Sequence, residues 1–84
     1  MLRISDFVLD GYHIDNMVKG PSVYFTSDET DDSWIDVSFA DNNSSILVVQ
    51  FVVACETVAK YVINANGKTA EEVSAEIMRL DGKQ

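Results

Sequence analysis

Six carboxylates, those of Asp28, Glu29, Asp31, Asp32, Asp36 and Asp41, fall within fourteen residues of this sequence. Carboxylates crowded in this way can move protons, bind cations or keep a surface in water. Proton transfer calls for a carboxyl group whose pKa has been shifted by burial or by a charged partner. The surrounding run, Ser27-Asp28-Glu29-Thr30-Asp31-Asp32-Ser33, is all charged or turn-favouring and could not be buried without large desolvation costs. Cation binding is the chemistry left to it. The cation could be calcium: Asp28, Thr30, Asp32 and Asp36 occupy the first, third, fifth and ninth places of an EF-hand register. However, Ser33 replaces the sixth-place Gly and Phe39 the twelfth-place Glu. Calcium bound here would be weak and in a loop of another type. The cation could equally be Lys or Arg on another protein, and a third reading is a solvated loop that protects a hairpin from edge pairing.

The distribution of bases favours a protein partner. Between Lys19 and Lys60 lie forty residues without Lys, Arg or His, and they hold seven of the fourteen acids; the remaining seven acids face six bases elsewhere, so -7 of the net -8 sits in the middle of the chain. A surface tuned only for solubility normally mixes signs. An unmixed patch repels nucleic acid and anionic membrane and attracts basic surfaces. Charge alone gives poor specificity, so an apolar anchor is expected beside it. Trp34 follows the acidic run directly and Tyr24 is its expected neighbour across a hairpin; Trp and Tyr are over-represented at interface hot spots. The alternative for Trp34 is a half-buried packing role. The partner-binding set expected from sequence is thus Asp28, Glu29, Asp31, Asp32, Trp34 and Asp36.

Other reactive residues assemble into nothing comparable. His13, the one histidine, has no Cys or Ser that the sequence places beside it, so no nucleophilic triad emerges, and it reads as an exposed strand residue without a site role. Cys55 is a lone thiol with no CxxC or Cys/His spacing for zinc. Gly11, Gly20, Gly67 and Gly82 are too far apart for a phosphate loop. The six bases are scattered, which argues against direct nucleic-acid binding. No catalytic residue, metal ligand or cofactor is expected.

The elements that must position the acidic run can be read from alternation. Ser22 to Thr26 and Trp34 to Phe39 read as hairpin arms, because Ile35, Val37 and Phe39 alternate with Trp34, Asp36 and Ser38. After a polar turn at Asp41-Asn42-Asn43-Ser44, residues Ile46 to Val53 are apolar on both alternating faces. This predicts a central strand with one face on the core and the other covered by a helix or a partner. Residues 57–64 fit a helical stripe and a strand alike, and the strand is favoured by Val, Tyr and Ile. Thr69 with Glu72 three residues on is a capping box, and Ala70, Val73, Ile77 and Leu80 recur at helical spacing before Gly82. At the front, Asp10-Gly11 between Phe7-Val8-Leu9 and Tyr12-His13-Ile14 reads as a tight hairpin, with a short helix from Ser5 as the rival.

The sum is a single α+β domain over residues 1–84, an antiparallel sheet of four to six strands with one C-terminal helix on one face. Eighty-four residues bury one small core, roughly 60–65% of the unfolded chain's surface. The apolar content of 46% and eight aromatics argue against disorder. A single Cys and no basic, apolar signal start point to the cytoplasm, and the longest apolar run is far short of a membrane span.

The function expected is that of a small acidic, non-enzymatic binding protein, an inhibitor that blocks the basic nucleic-acid-binding surface of a protein machine. Carboxylates along a hairpin can stand in for duplex DNA, which carries about one negative charge per 1.7 Å, or the protein can act as a steric block. In size, single-domain build and acidity the chain resembles small phage-encoded inhibitors of bacterial defence, such as anti-CRISPR proteins and DNA mimics, a likeness of general character that carries no residues over. The alternatives are a structural subunit or homodimer joined through the two-sided strand, and a weak calcium-binding loop.

Overall fold

The computed structural model describes residues 2–16, 20–40 and 43–83, and the side chains of all of these except 43 and 44. Asp41 of the acidic run and Asn42 of the second polar turn lie outside the described residues. The expected α+β arrangement is what forms. A short 3-10 helix, Ile4–Asp6, precedes strands β1 (Tyr12–Ile14), β2 (Val23–Ser27), β3 (Ser33–Ala40), β4 (Asn43–Val53) and β5 (Glu56–Asn64), and one helix, α1 (Ala70–Asp81), closes the chain. All strands pair antiparallel, and their order in the sheet is their order in sequence.

Alternation decides which side chains face inward. Phe25, Ile35, Phe51 and Ala59 stand in one row across β2 to β5, and Val23, Val37, Val49 and Tyr61 in the next. The apolar stripe of α1 covers this face: Val73, Ile77 and Leu80 are buried in the same cluster as Phe25, Ile35, Leu47 and Ile63. Phe51 and Tyr61 meet edge to face with ring centroids 5.8 Å apart, an arrangement favoured by the ring quadrupoles. The helix starts where the sequence places it. Thr69 Oγ1 accepts from the Glu72 N–H at 3.1 Å, and a Glu72 carboxylate oxygen accepts from the Thr69 N–H at 3.0 Å, so two otherwise orphaned backbone donors are satisfied.

Residues 56–64 form the strand. On β5, Tyr61 and Ile63 face the core while Lys60 and Val62 face away, and Val62 is 67% exposed. Between the Phe51–Ala59 and Val52–Thr57 pairs, Val58 is the extra residue of a β-bulge.

The front of the chain corrects one expectation. A turn does form at Asp10-Gly11, with the Tyr12 N–H donating to the Leu9 carbonyl at 3.0 Å and Gly11 at φ +84°, a conformation that favours glycine. The flanking arms do not pair with each other. Instead β1 pairs with β2, while Phe7 and Leu9 are buried in the core and the Val8 N–H donates to Ser74 Oγ on α1 at 3.1 Å. The rival helix is confined to the single 3-10 turn.

Strand β4 has one face on the core and one turned away from it. Its inner residues Leu47, Val49 and Phe51 are buried as expected, but among the described residues no helix lies over its other face. Val52 on that face is nonetheless only 8% exposed, and its register neighbour on β3 is Trp34. The sheet therefore presents one open face, with Thr26, Trp34 and Val52 in one row and Tyr24, Asp36, Gln50 and Lys60 in the next. No described helix is long and apolar enough to cross a membrane.

Candidate partner-binding face

The β2–β3 connection carries Asp28, Glu29, Asp31 and Asp32, all exposed, and it is held at both ends. The Asp28 N–H donates to the Gly11 carbonyl at 2.9 Å, and the Ala54 N–H in the β4–β5 turn donates to the Asp32 carbonyl at 2.7 Å. Within the loop, the Glu29 N–H donates to Ser27 Oγ, the Thr30 hydroxyl donates to an Asp32 carboxylate oxygen, and the Asp32 N–H donates to Thr30 Oγ1. These local bonds are the usual work of Ser, Thr and Asp in turns. They fix the backbone that carries four negative charges, so less conformational entropy remains to be lost when a partner binds.

His13 is the exposed strand residue expected, and β1 places it against the acidic loop. Its Nδ1 lies 2.6 Å from Asp28 Oδ1, and both side chains are more than half exposed. The contact joins the edge strand β1 to the acidic loop. The signal was present in the sequence only as a histidine fifteen positions before an aspartate; the pairing of β1 with β2 is what brings them together.

The anchor beside the acids is a pair. Tyr24 and Trp34 lie diagonally across β2 and β3, ring centroids 6.2 Å apart and planes within 9° of parallel. Diagonal neighbours in a sheet are within reach of large aromatics, and parallel planes present their π faces in the same direction. His13, Asp15, Tyr24, Thr26, Asp31 and Trp34 line a cavity of about 430 Å³ at this place. Asp15 and Thr26 thus stand beside the expected residues through the structure, and Tyr24 is where the hairpin was expected to place it.

Asp36 departs from the others. It sits one row further along the open face, in register with Tyr24 and Gln50. Its Oδ1 is buried and accepts no hydrogen bond from any described residue. Carboxylate oxygens in that position normally find a donor, and leaving one without costs free energy.

Among the described residues no Lys or Arg forms an ion pair with the acidic loop. Arg79 pairs with Glu76 at 2.8 Å on α1, Lys60 stands opposite Gln50 at the far side of the sheet, and Lys68 immediately precedes the helix cap. The EF-hand register does not converge either. Asp28 is turned to His13, Asp32 to Thr30, and Asp36 lies on the sheet face. Among the described residues no group of three or more His, Cys, Asp or Glu is placed to hold a metal ion.

The remaining candidates have structural surroundings. Cys55 is exposed at the β4–β5 turn. Tyr12 donates from its hydroxyl to Asp81 Oδ1 at 3.0 Å, tying β1 to the end of α1. Burial first, then the hydrogen bond and charge of Asp81 and the charge of Glu29, push the Tyr12 phenol up to about 12. Set against known proteins, the chain matches no protein-family model, no curated protein and no solved structure.

Proposed function

We propose that this chain is a non-enzymatic binding protein that occupies a basic surface of a nucleic-acid-handling protein and so excludes the nucleic acid. The observation that carries the reading is the placement of a pinned loop bearing Asp28, Glu29, Asp31 and Asp32 directly beside the stacked Tyr24–Trp34 pair. The loop supplies charge that steers a basic partner and raises the association rate. The aromatic pair supplies the desolvated anchor that gives such a contact its specificity. The face is preorganised by backbone hydrogen bonds, which suits recognition more than catalysis. Mimicry of phosphates and steric obstruction both follow from the same face.

The test is affinity capture from the native host's lysate, eluted by rising salt, with the Asp31→Lys/Asp32→Lys variant as control. The wild type retains a nucleic-acid-binding protein that elutes as salt rises, and the eluted protein regains nucleic-acid binding. Capture that survives the double charge reversal defeats the proposal.

A second reading, association between copies of this chain, rests on the valines of the open face. Val48 and Val62 are register partners there, and Val62 is largely exposed. Light scattering decides it: a stable monomer at micromolar concentration removes this reading.

A further inference from the structure

We infer that the cavity lined by Tyr24 and Trp34 receives an arginine side chain of the partner, an inference that rests on the function proposed above and names the group recognised. Two features of the cavity point to a guanidinium. Its lining includes two parallel aromatic rings, and a planar, weakly hydrated cation stacks on aromatic faces better than a compact ammonium does. Its rim carries the carboxylates of Asp31 from the acidic loop and Asp15 from the end of β1, acceptors for the five donors of the guanidinium fork. Its volume of about 430 Å³ admits a whole arginine side chain.

Asp31 plays a different part here from its neighbours. Glu29 and Asp32 act at a distance, through charge that salt screens. Asp31 combines charge with a place on the cavity rim, so its contribution depends on the shape of the cation as well as its sign. Trp34, the sole tryptophan, reports occupancy through its own fluorescence.

The experiment compares tetra-arginine and tetra-lysine peptides, equal in charge, by calorimetry and by Trp34 emission at low and moderate salt. The expected result is binding of the arginine peptide about tenfold tighter than the lysine peptide, with a change in Trp34 emission for the former. Trp34→Ala and Asp31→Asn each remove most of the preference, while Glu29→Gln lowers affinity for both peptides alike. Should Trp34→Ala fail to fold, because Val52 loses its cover, Asp31→Asn and the emission change of the wild type carry the test. Equal affinities with unchanged emission overturn the arginine site and leave the charge-based function standing. No binding of either peptide at low salt overturns both.

Discussion

Ala54 donates its backbone N–H to the carbonyl of Asp32 at 2.7 Å, so the β4–β5 turn and the acidic loop form one unit at the end of the sheet. The turn achieves this in an unfavourable way. Ala54 and Cys55 both adopt left-handed backbone, with φ of 52° and 66°. A two-residue hairpin turn of this kind matches the twist of the strands but is normally built from Asn and Gly. For residues with a Cβ, the left-handed region costs on the order of 1 kcal/mol each. The double variant Ala54→Asn/Cys55→Gly keeps the N–H and relieves the strain. It should raise stability by about 1 kcal/mol, visible as a higher urea midpoint with an unchanged slope. A lower midpoint would show that the turn is not of this type.

The tip should tolerate charge reversal as a fold. Asp31 and Asp32 are exposed and their side chains touch nothing in the core. Asp31→Lys/Asp32→Lys should change stability by no more than about 0.5 kcal/mol while abolishing partner binding. Thermal melts of the two proteins at moderate salt check the first half. A large drop would mean that the loop supports the fold, and would make the loss of binding uninformative.

Tyr12 gives the protein an alkaline weakness. Its phenol titrates near 12 in the folded state, above the ordinary value of 10. The neutral form is therefore favoured by folding. That contribution is complete below pH 10 and disappears as the pH rises towards 12. Urea midpoints of the wild type should fall more steeply over this interval than those of Tyr12→Phe, which has no proton to lose. Parallel curves would remove the Tyr12–Asp81 bond from the account.

Thr69→Ala should cost about 1 kcal/mol at neutral pH, the usual consequence of deleting an N-cap. The reciprocal bond from the Thr69 backbone and hydroxyl holds the Glu72 carboxyl below its ordinary range. A carboxylate stabilised in this way contributes above its unfolded pKa and loses that contribution as the pH falls through its folded value. The gap between wild type and Thr69→Ala should therefore narrow in acid, as helix content followed by circular dichroism at pH 7 and pH 3 would show. A gap of constant size would mean that the Thr69 hydroxyl does not act on the Glu72 carboxylate, whose bond from the backbone N–H at residue 69 survives the substitution.

The parts of this fold that were legible in the sequence are those where one local signal carries the answer. Ile35, Val37 and Phe39 announce β3 by alternation, the loop from Asp28 to Asp32 announces itself by composition, and Thr69 with Glu72 announces the start of α1. Tyr24 beside Trp34 followed from the hairpin alone. The front of the chain was not legible, because Asp10-Gly11 marks a turn without specifying what its arms touch. Those arms are claimed by distant partners: Val8 by Ser74, sixty-six residues away, and β1 by β2. The same non-local pairing hid how near His13 and Asp15 lie to the acidic loop and Trp34. For β4, the sequence calls for shelter over Val52 but does not say that its neighbour in register on the adjacent strand is Trp34.

The strand order has a kinetic consequence. Because every strand joins the one just before it in the chain, the sheet can grow one hairpin at a time without closing a large loop, which favours rapid folding. The inner apolar surface stays wet until α1 arrives, and α1 is synthesised after all five strands. The bonds of Tyr12 to Asp81 and of Val8 to Ser74 then latch the beginning of the chain to its end. On the ribosome the five strands would emerge as an unroofed sheet, and the core would be complete only after α1 has cleared the exit tunnel.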